Sequence, residues 1–281
     1  MKILILGSSG LLGSEVKKVF SEEELILPDE TDLDITDENK VIGYIQEQKP
    51  AVIINCAAYT NVDGCEKDEN KDIAFKVNGW GPGYIAKGAD LIGAKLVHIS
   101  TDYVFNGNKE EPYETDDVVD PVNVYGETKL LGENEIKKYC KKYYILRTAW
   151  LYGDNGPNFI NTMLKLGQDR NELNVVNDQY GSPTYVKDLA SGIKNILTKE
   201  NYGTYHMVNH GYCSWYDLAV LVFKYAKMNV FVHPVSSSEF IRPAKRPNNS
   251  RMNDQKLLEN GYKQLRNYEE AVKEFVESKN N

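Results

Sequence analysis

The chain has 281 residues, 41% hydrophobic and 11% aromatic, which suits a soluble globular core in one large domain or two smaller ones. A net charge of -8 argues against a nucleic-acid partner, and no apolar run reaches the roughly 18 residues of a membrane span. The opening Met-Lys-Ile-Leu-Ile-Leu-Gly is too short and strand-like for a signal peptide. The four cysteines (Cys56, Cys65, Cys140, Cys213) lack Cys-x-x-Cys spacing and read as free thiols of a reducing cytoplasm.

Lys2 to Gly7 is a short apolar run ending in glycine, which predicts a buried strand. Gly7-x-x-Gly10-x-x-Gly13 follows at once and opens an amphipathic run to Phe20. The glycines permit a tight turn and close approach of the backbone to a diphosphate. The helix start adds free N–H groups and the positive end of a dipole. Leu25 to Pro28 reads as a second strand. Asp29 then falls where a carboxylate takes adenosine ribose hydroxyls, and its charge favours NAD(H) by repelling a 2'-phosphate. Residues 32–37 open a helix to Gln48, with Asp34 or Thr36 either its N-cap or placed at the adenine. Ala51 to Cys56 is a third strand, and the small residues after it in Ala57-Ala58-Tyr59-Thr60 let a cofactor cross the strand end. A helix through about residues 70–92 is expected to put Trp80 and Tyr84 in the core. Lys95 to Thr101 is a fourth strand, with Leu96 and His98 on the face opposite Val97 and Ile99. His98 reads as a satisfied core histidine.

Asp102 to Gly107 leads into an acidic loop. Pro121 then precedes a helix, beginning Val122-Asn-Val-Tyr125-Gly-Glu-Thr-Lys129, that runs to Tyr139. Tyr125 and Lys129 are four residues apart, so they share a helix face. A lysine cation beside a phenol favours the phenolate, lowers the tyrosine pKa and suits it to exchange a proton with a carbonyl or hydroxyl. Tyr143 to Tyr152 reads as a fifth strand. Strands alternating with helices predict an α/β fold, a doubly wound parallel sheet with reacting groups at its C-terminal strand ends, where Thr101 and Trp150 fall. Beyond Gly153 a helix is expected from Asn158 to Gly167, a loop over 177–184, and a helix to Thr198. A strand over 203–208, a capping box Ser214-x-x-Asp217 opening a helix to Ala226, and a strand over 230–234 come next. His206 and His210 lie in strand-like surroundings beside Gly211, so no metal site is expected. The run from Arg242 to Arg251 holds four cations, Arg242, Lys245, Arg246 and Arg251, and is the natural place for an anionic ligand.

Taken together, these residues resemble the extended short-chain dehydrogenase/reductase superfamily, and within it the dTDP-4-dehydrorhamnose reductases. The resemblance spans almost the whole chain. It rests on the glycine turn, Cys-Ala-Ala-Tyr-Thr with Val62-Asp63, Ser-Thr-Asp-Tyr-Val-Phe, Val-Tyr-Gly-Glu-Thr-Lys, Arg147-Thr-Ala-Trp150, Asp178-Gln-Tyr-Gly-Ser-Pro-Thr and Arg246-Pro-x-Asn-Ser-Arg. It implies a Rossmann-type NAD(P)-binding domain over 1–152. A smaller α/β sugar-nucleotide domain would lie mainly over 153–281, with segments that interleave. It also implies NADPH or NADH as cofactor, held by Gly7, Gly10, Leu11, Leu12, Gly13, Asp29, Asp34, Ile35, Ala57, Ala58, Tyr59, Tyr125 and Lys129. The implied reaction is reduction at C4 of dTDP-4-dehydro-6-deoxy-L-mannose. Tyr125 would be the acid and Lys129 its helper, with Thr101 on the same oxygen. Asp102 and Tyr103 would meet the sugar, Trp150 would wall it, and Arg246, Asn249 and Ser250 would meet the diphosphate. Some relatives dimerise through Mg2+ held by glutamates. Glu15 matches the first such position and Asp188 stands near the second, so a homodimer is expected and its Mg2+ bridge is left open. A sugar-nucleotide epimerase or dehydratase on the same fold is the alternative, and a non-catalytic regulatory subunit the remote one.

Overall fold

A computed structural model describes residues 1–279. Five strands come from the first part of the chain: β1 (Lys2–Leu6), β2 (Glu24–Ile26), β3 (Val52–Asn55), β4 (Lys95–Thr101) and β5 (Tyr143–Thr148). Past them come β6 (Glu172–Val176), β7 (Gly203–His206) and β8 (Phe231–Val235). The main sheet has the order β7-β5-β4-β3-β1-β2, and every pairing is parallel. β6 and β8 pair in parallel as a separate two-stranded sheet. The main helices are α1 (Leu11–Val19), α2 (Glu38–Gln48), α3 (Asp68–Ala74), α4 (Gly81–Ile92), α5 (Val124–Tyr139), α6 (Phe159–Asp169), α7 (Val186–Ile196), α8 (Trp215–Ala226) and α9 (Tyr268–Ser278).

Side chains alternate along each strand, so each contributes to two cores. Leu4, Ile53, Leu96 and Ile145 pack with Val41 and Ile45 of α2 and Ile85 and Ala89 of α4. Ile3, Ile54, Val97 and Leu146 pack with Val16 of α1, Leu189 of α7, Val222 of α8 and Phe275 of α9. Both faces are covered, which is why the strands read as near-continuous apolar runs rather than alternating ones.

Three expectations are corrected. The helix to Gln48 starts at Glu38 with Asp37 as its N-cap, accepting from Lys40 N at 3.1 Å. Asp29 and Asp34 instead close tight turns of their own on Thr31 and Thr36, so the chain cannot enter the helix earlier. Helical structure from Asp68 to Ile92 is interrupted by a π turn over Phe75–Trp80. The extra residue shifts the phase of the helix, and Trp80, expected in the core, is 42% exposed. The fifth strand ends at Thr148, because Trp150 takes a left-handed backbone, φ 48°, before Leu151–Tyr152 pairs with Thr184–Tyr185. β7 from the C-terminal half is the edge strand beside β5, and α7 packs on α1, so later segments of the chain return to the main sheet.

Candidate active site

α5 is held at its start from three directions. Asn123 is its N-cap, accepting from Gly126 N at 2.8 Å and donating to Lys245 O at 2.8 Å, while Glu66 accepts from Val124 N at 2.9 Å. The π turn adds a fourth tie. Its Asn78, fully buried, exchanges hydrogen bonds with the backbone of Tyr59 and donates to Thr128 on α5 at 3.2 Å. The loop after β3 is thereby clamped to the helix that carries Tyr125 and Lys129. Such π turns frequently mark functional sites, and periodicity alone did not reveal this one.

These elements wall a cleft of about 940 Å³ at the C-terminal ends of the strands. One side is the α1 start (Gly10, Leu11, Leu12) with Ala58. The other carries Thr101, Asp102, Tyr103, Tyr125, Lys129 and Trp150. α1 begins at Gly10 with no side-chain cap and no acid in its first turn, so its first amides remain available to an anion. Gly7 sits at φ 71°, and a Cβ on Gly13 would lie 2.0 Å from the Gly7 carbonyl. No side chain can intrude there, and the turn fits the diphosphate of a dinucleotide. Asp29, Asp34 and Ile35 lie past the second strand, with Asp29 and Asp34 exposed and their carboxylates held low by the hydroxyls of Thr31 and Thr36.

Tyr125 is half-buried in the cleft wall, and desolvation of its phenol pushes it well above the ordinary tyrosine range. The charge of Asp102 pushes the same way, and the Thr101 hydroxyl pulls partly back by hydrogen bonding. The expected lowering by Lys129 is not what dominates here. Lys129 is itself buried, is brought down to about 8 by desolvation, and donates to Ile99 O at 2.6 Å. A phenol raised in this way is protonated at neutral pH, as an ordinary tyrosine is, and is the weaker acid for it. Asp102 is pushed up to about 6 by burial, which the Ser250 and Thr101 hydroxyls partly offset. Thr101 donates to its Oδ1 at 2.9 Å. Ser250 approaches its side chain but donates to the Tyr180 carbonyl at 3.3 Å, leaving Asp102 Oδ2 with no partner among the described residues.

Trp150 stacks flat on Trp215, ring centroids 3.4 Å apart and 7° from parallel. Trp215 is the first residue of α8 after the Ser214–Asp217 capping box, which forms as expected. Nothing in the sequence marked Trp215 beyond its aromatic character just after a cap. A second cleft of about 1000 Å³ is lined by Phe159, Arg170, Val175, Gln179, Arg242 and Arg246. Tyr103 and Trp215 line both clefts, so the two adjoin.

Members of the basic run are tied into contacts within the protein. Arg246 forms a two-pronged pair with Asp63, at 2.7 and 2.9 Å, at the edge of the second cleft. Part of its charge is therefore already balanced. Asn249 is not placed to meet a ligand. It is 7% exposed, donates to Glu111 O at 3.1 Å and to Lys109 O, and accepts from Arg251. Ser250 is 2% exposed under Tyr180. These two residues shape the site from behind. Glu15 pairs with Lys18 at 2.6 Å, and Asp188 with Arg266 at 2.8 Å. Among the described residues no three metal-ligating side chains converge, so Glu15 and Asp188 do not form an Mg2+ site within the chain. His206 is buried, with Nδ1 against Asn253 O at 2.9 Å.

The model of the RmlD substrate binding domain family matches residues 1–281. The spore coat polysaccharide biosynthesis protein SpsK of Bacillus subtilis (strain 168) is 38% identical over 99% of this chain and 98% of its own. A dTDP-4-dehydrorhamnose reductase from Clostridium acetobutylicum superposes with a TM-score of 0.96 at 46% identity over all of both chains. One from Bacillus anthracis, solved in complex with NADP, superposes with a TM-score of 0.94 at 42% identity over 99% of each. With its glycine turn, its tyrosine–lysine helix and full-length matches of this kind, the chain belongs to the RmlD family, the dTDP-4-dehydrorhamnose reductases.

Proposed function

We propose that the chain reduces the C4 ketone of dTDP-4-dehydro-6-deoxy-L-mannose to give dTDP-L-rhamnose, with hydride supplied by a bound nicotinamide dinucleotide. The observation that carries this is the convergence of Tyr125, Thr101 and Asp102 on one cleft that also receives the bare glycine turn of α1. Tyr125, protonated at neutral pH, gives its proton to the developing C4 oxygen, and Thr101, its hydroxyl turned away from Asp102 when substrate is bound, donates to the same oxygen and holds it in place. Asp102 offers its unpartnered Oδ2 to a sugar hydroxyl. The stacked Trp150 and Trp215 form a rigid wall against the sugar. The nucleotide lies in the second cleft, where Arg170, Arg242 and Arg246 supply positive charge. Both NADH and NADPH are accepted, because Asp29 is exposed and engaged in its own turn rather than presented rigidly to the ribose. The enzyme works in the cytoplasm, in keeping with its four free cysteines, and as a homodimer, in keeping with its family.

The test is oxidation of NADPH and NADH, followed by absorbance, with the 4-keto sugar made in situ from dTDP-glucose. Turnover to dTDP-rhamnose is expected. Tyr125→Phe is expected to lose on the order of 10²–10⁴ in rate while still binding cofactor. Near-full activity in that variant would remove the tyrosine from the role of acid.

A further inference from the structure

Asp63 joins the walls of the two clefts. It sits on a single helical turn, Val62–Cys65, and Thr60, Asn61 and Val62 just before it line the first cleft. The turn is fixed by its own bonds: Asn61 Oδ1 accepts from Gly64 N at 2.8 Å, and Asn61 O accepts from Cys65 N at 2.9 Å. Asp63 accepts from Arg246 at 2.7 and 2.9 Å and from Ala244 N at 3.2 Å. The bonds from Arg246 hold its carboxyl below the ordinary range, so it is an anion at neutral pH. Lys245 O, between Ala244 and Arg246, accepts from Asn123 at the start of α5. Arg246, which lines the second cleft, is thus carried on backbone tied to the loop after β3 and to the helix of Tyr125.

The donors of Arg246 can be counted. A guanidinium carries five N–H groups in one plane. Nη1 spends both of its own, one on Asp63 Oδ1 at 2.7 Å and one on Ala244 O at 2.7 Å. Nη2 gives one to Asp63 Oδ2 at 2.9 Å. Nε–H and the second Nη2–H remain, side by side on another edge of the plane. Among the described residues neither meets an acceptor in hydrogen-bonding geometry; the phenol of Tyr103 is the polar group beside them. Two parallel N–H groups match two oxygens of a phosphate. Arg242 cannot take over this part, because its Nη1 stands 3.7 Å from Asp63 Oδ2 and its side chain is largely exposed.

We propose that Asp63 is a positioning residue: by clamping one edge of the Arg246 guanidinium it presents the other edge to the diphosphate of the sugar nucleotide, and so sets affinity without touching the ligand. This rests on the second cleft being the nucleotide site. Simple electrostatics gives the opposite sign. A carboxylate beside an anion site repels the ligand, so removing it should tighten binding by charge alone. Both side chains reach solvent, Asp63 at 27% and Arg246 at 19%, so water screens that effect. Losing the clamp instead frees a long side chain, whose ordering must then be supplied on binding. The clamp is the larger effect, and Asp63 favours an anion despite its own charge.

Calorimetry on the intact protein tests this, with dTDP as ligand and thymidine, which lacks phosphate, as control. Asp63→Asn keeps the shape but sets an amide donor against the guanidinium. It should weaken dTDP about three- to tenfold, the worth of ordering one long side chain, and leave thymidine unchanged. Arg246→Ala should lose roughly 10- to 100-fold for dTDP, and adding Asp63→Asn to it should cost nothing further. Arg246→Lys, a point charge with no second edge, should lose nearly as much as the alanine variant, and it carries the test if the Asp63 variant fails to fold. Tighter dTDP binding in Asp63→Asn would show charge to be its main effect and overturn the proposal. So would a loss that is the same with and without Arg246, or one that extends to thymidine, as a merely structural role would give. Arg246→Lys at wild-type affinity overturns it as well. Wild-type protein that binds dTDP but does not reduce the 4-keto sugar would sink the reductase reading alone and leave the Asp63 result standing.

Discussion

Asp102→Asn separates stability from function at one atom. The carboxyl is 3% exposed and pushed by burial from 3.8 to about 6. A folded pKa raised above its unfolded value means ionisation works against the fold. The penalty is absent below the unfolded value and complete above the folded one. A shift of this size corresponds to about 3 kcal/mol. Asparagine cannot ionise, but its amide nitrogen takes the place of Oδ2 without a clear acceptor, which costs about 1 kcal/mol. The variant should therefore be more stable than wild type by about 2 kcal/mol at about pH 8, and less stable by about 1 kcal/mol at about pH 3.5. Urea unfolding across that range measures the crossover. The same substitution removes the charged acceptor for a sugar hydroxyl, so kcat/KM should fall roughly tenfold to a hundredfold with cofactor affinity unchanged. A variant destabilised at pH 8, or one whose stability difference does not change sign with pH, would refute the reasoning.

Gly181→Ala would place a Cβ 2.4 Å from Trp150 Cε2. Overpacking of about 1–3 kcal/mol should tilt the indole off Trp215, seen as altered tryptophan fluorescence and a raised KM for the sugar nucleotide with an unchanged KM for cofactor. Arg147→Met strands the buried Glu133, which Arg147 holds at 2.8 and 2.9 Å, and should cost about 3–5 kcal/mol in thermal or urea unfolding. Burial alone would raise Glu133, but Arg147, Lys137 and Ser100 outweigh it and bring it down from 4.5 to about 2. This depressed carboxylate stabilises the fold fully above the ordinary value. In the wild type that contribution should disappear as pH falls from about 4.5 to about 2, and the variant should lack most of that dependence.

Strands β1, β3 and β4 were legible because a parallel sheet buried on both faces leaves apolar runs that end abruptly at glycine or small residues. The Gly7–Gly13 turn and the Tyr125–Lys129 face were legible because their chemistry requires fixed spacing. Departures arose where a local bond overrode a pattern. The side chains of Asp29 and Asp34 capture nearby N–H groups and delay α2. The π turn rotates Trp80 outward, and the backbone of Trp150 breaks the fifth strand. Contacts between distant segments were not legible. Asp63 with Arg246 and Trp150 with Trp215 are each brought together only by the tertiary fold, and no spacing along the chain encodes them.

The place of β7 has a consequence for synthesis. As the chain leaves the ribosome, β5 forms with an unpaired outer edge, and Tyr144 and Leu146 wait for a partner that lies past Gly203. Until then the nascent protein presents an open, apolar strand edge of the kind that recruits other chains. A fragment ending near residue 152 would keep that edge permanently and should aggregate rather than bind cofactor. The same dependence ties the dinucleotide cleft to completion of the whole chain, so a ribosome that stalls before Gly203 leaves no partly active reductase behind.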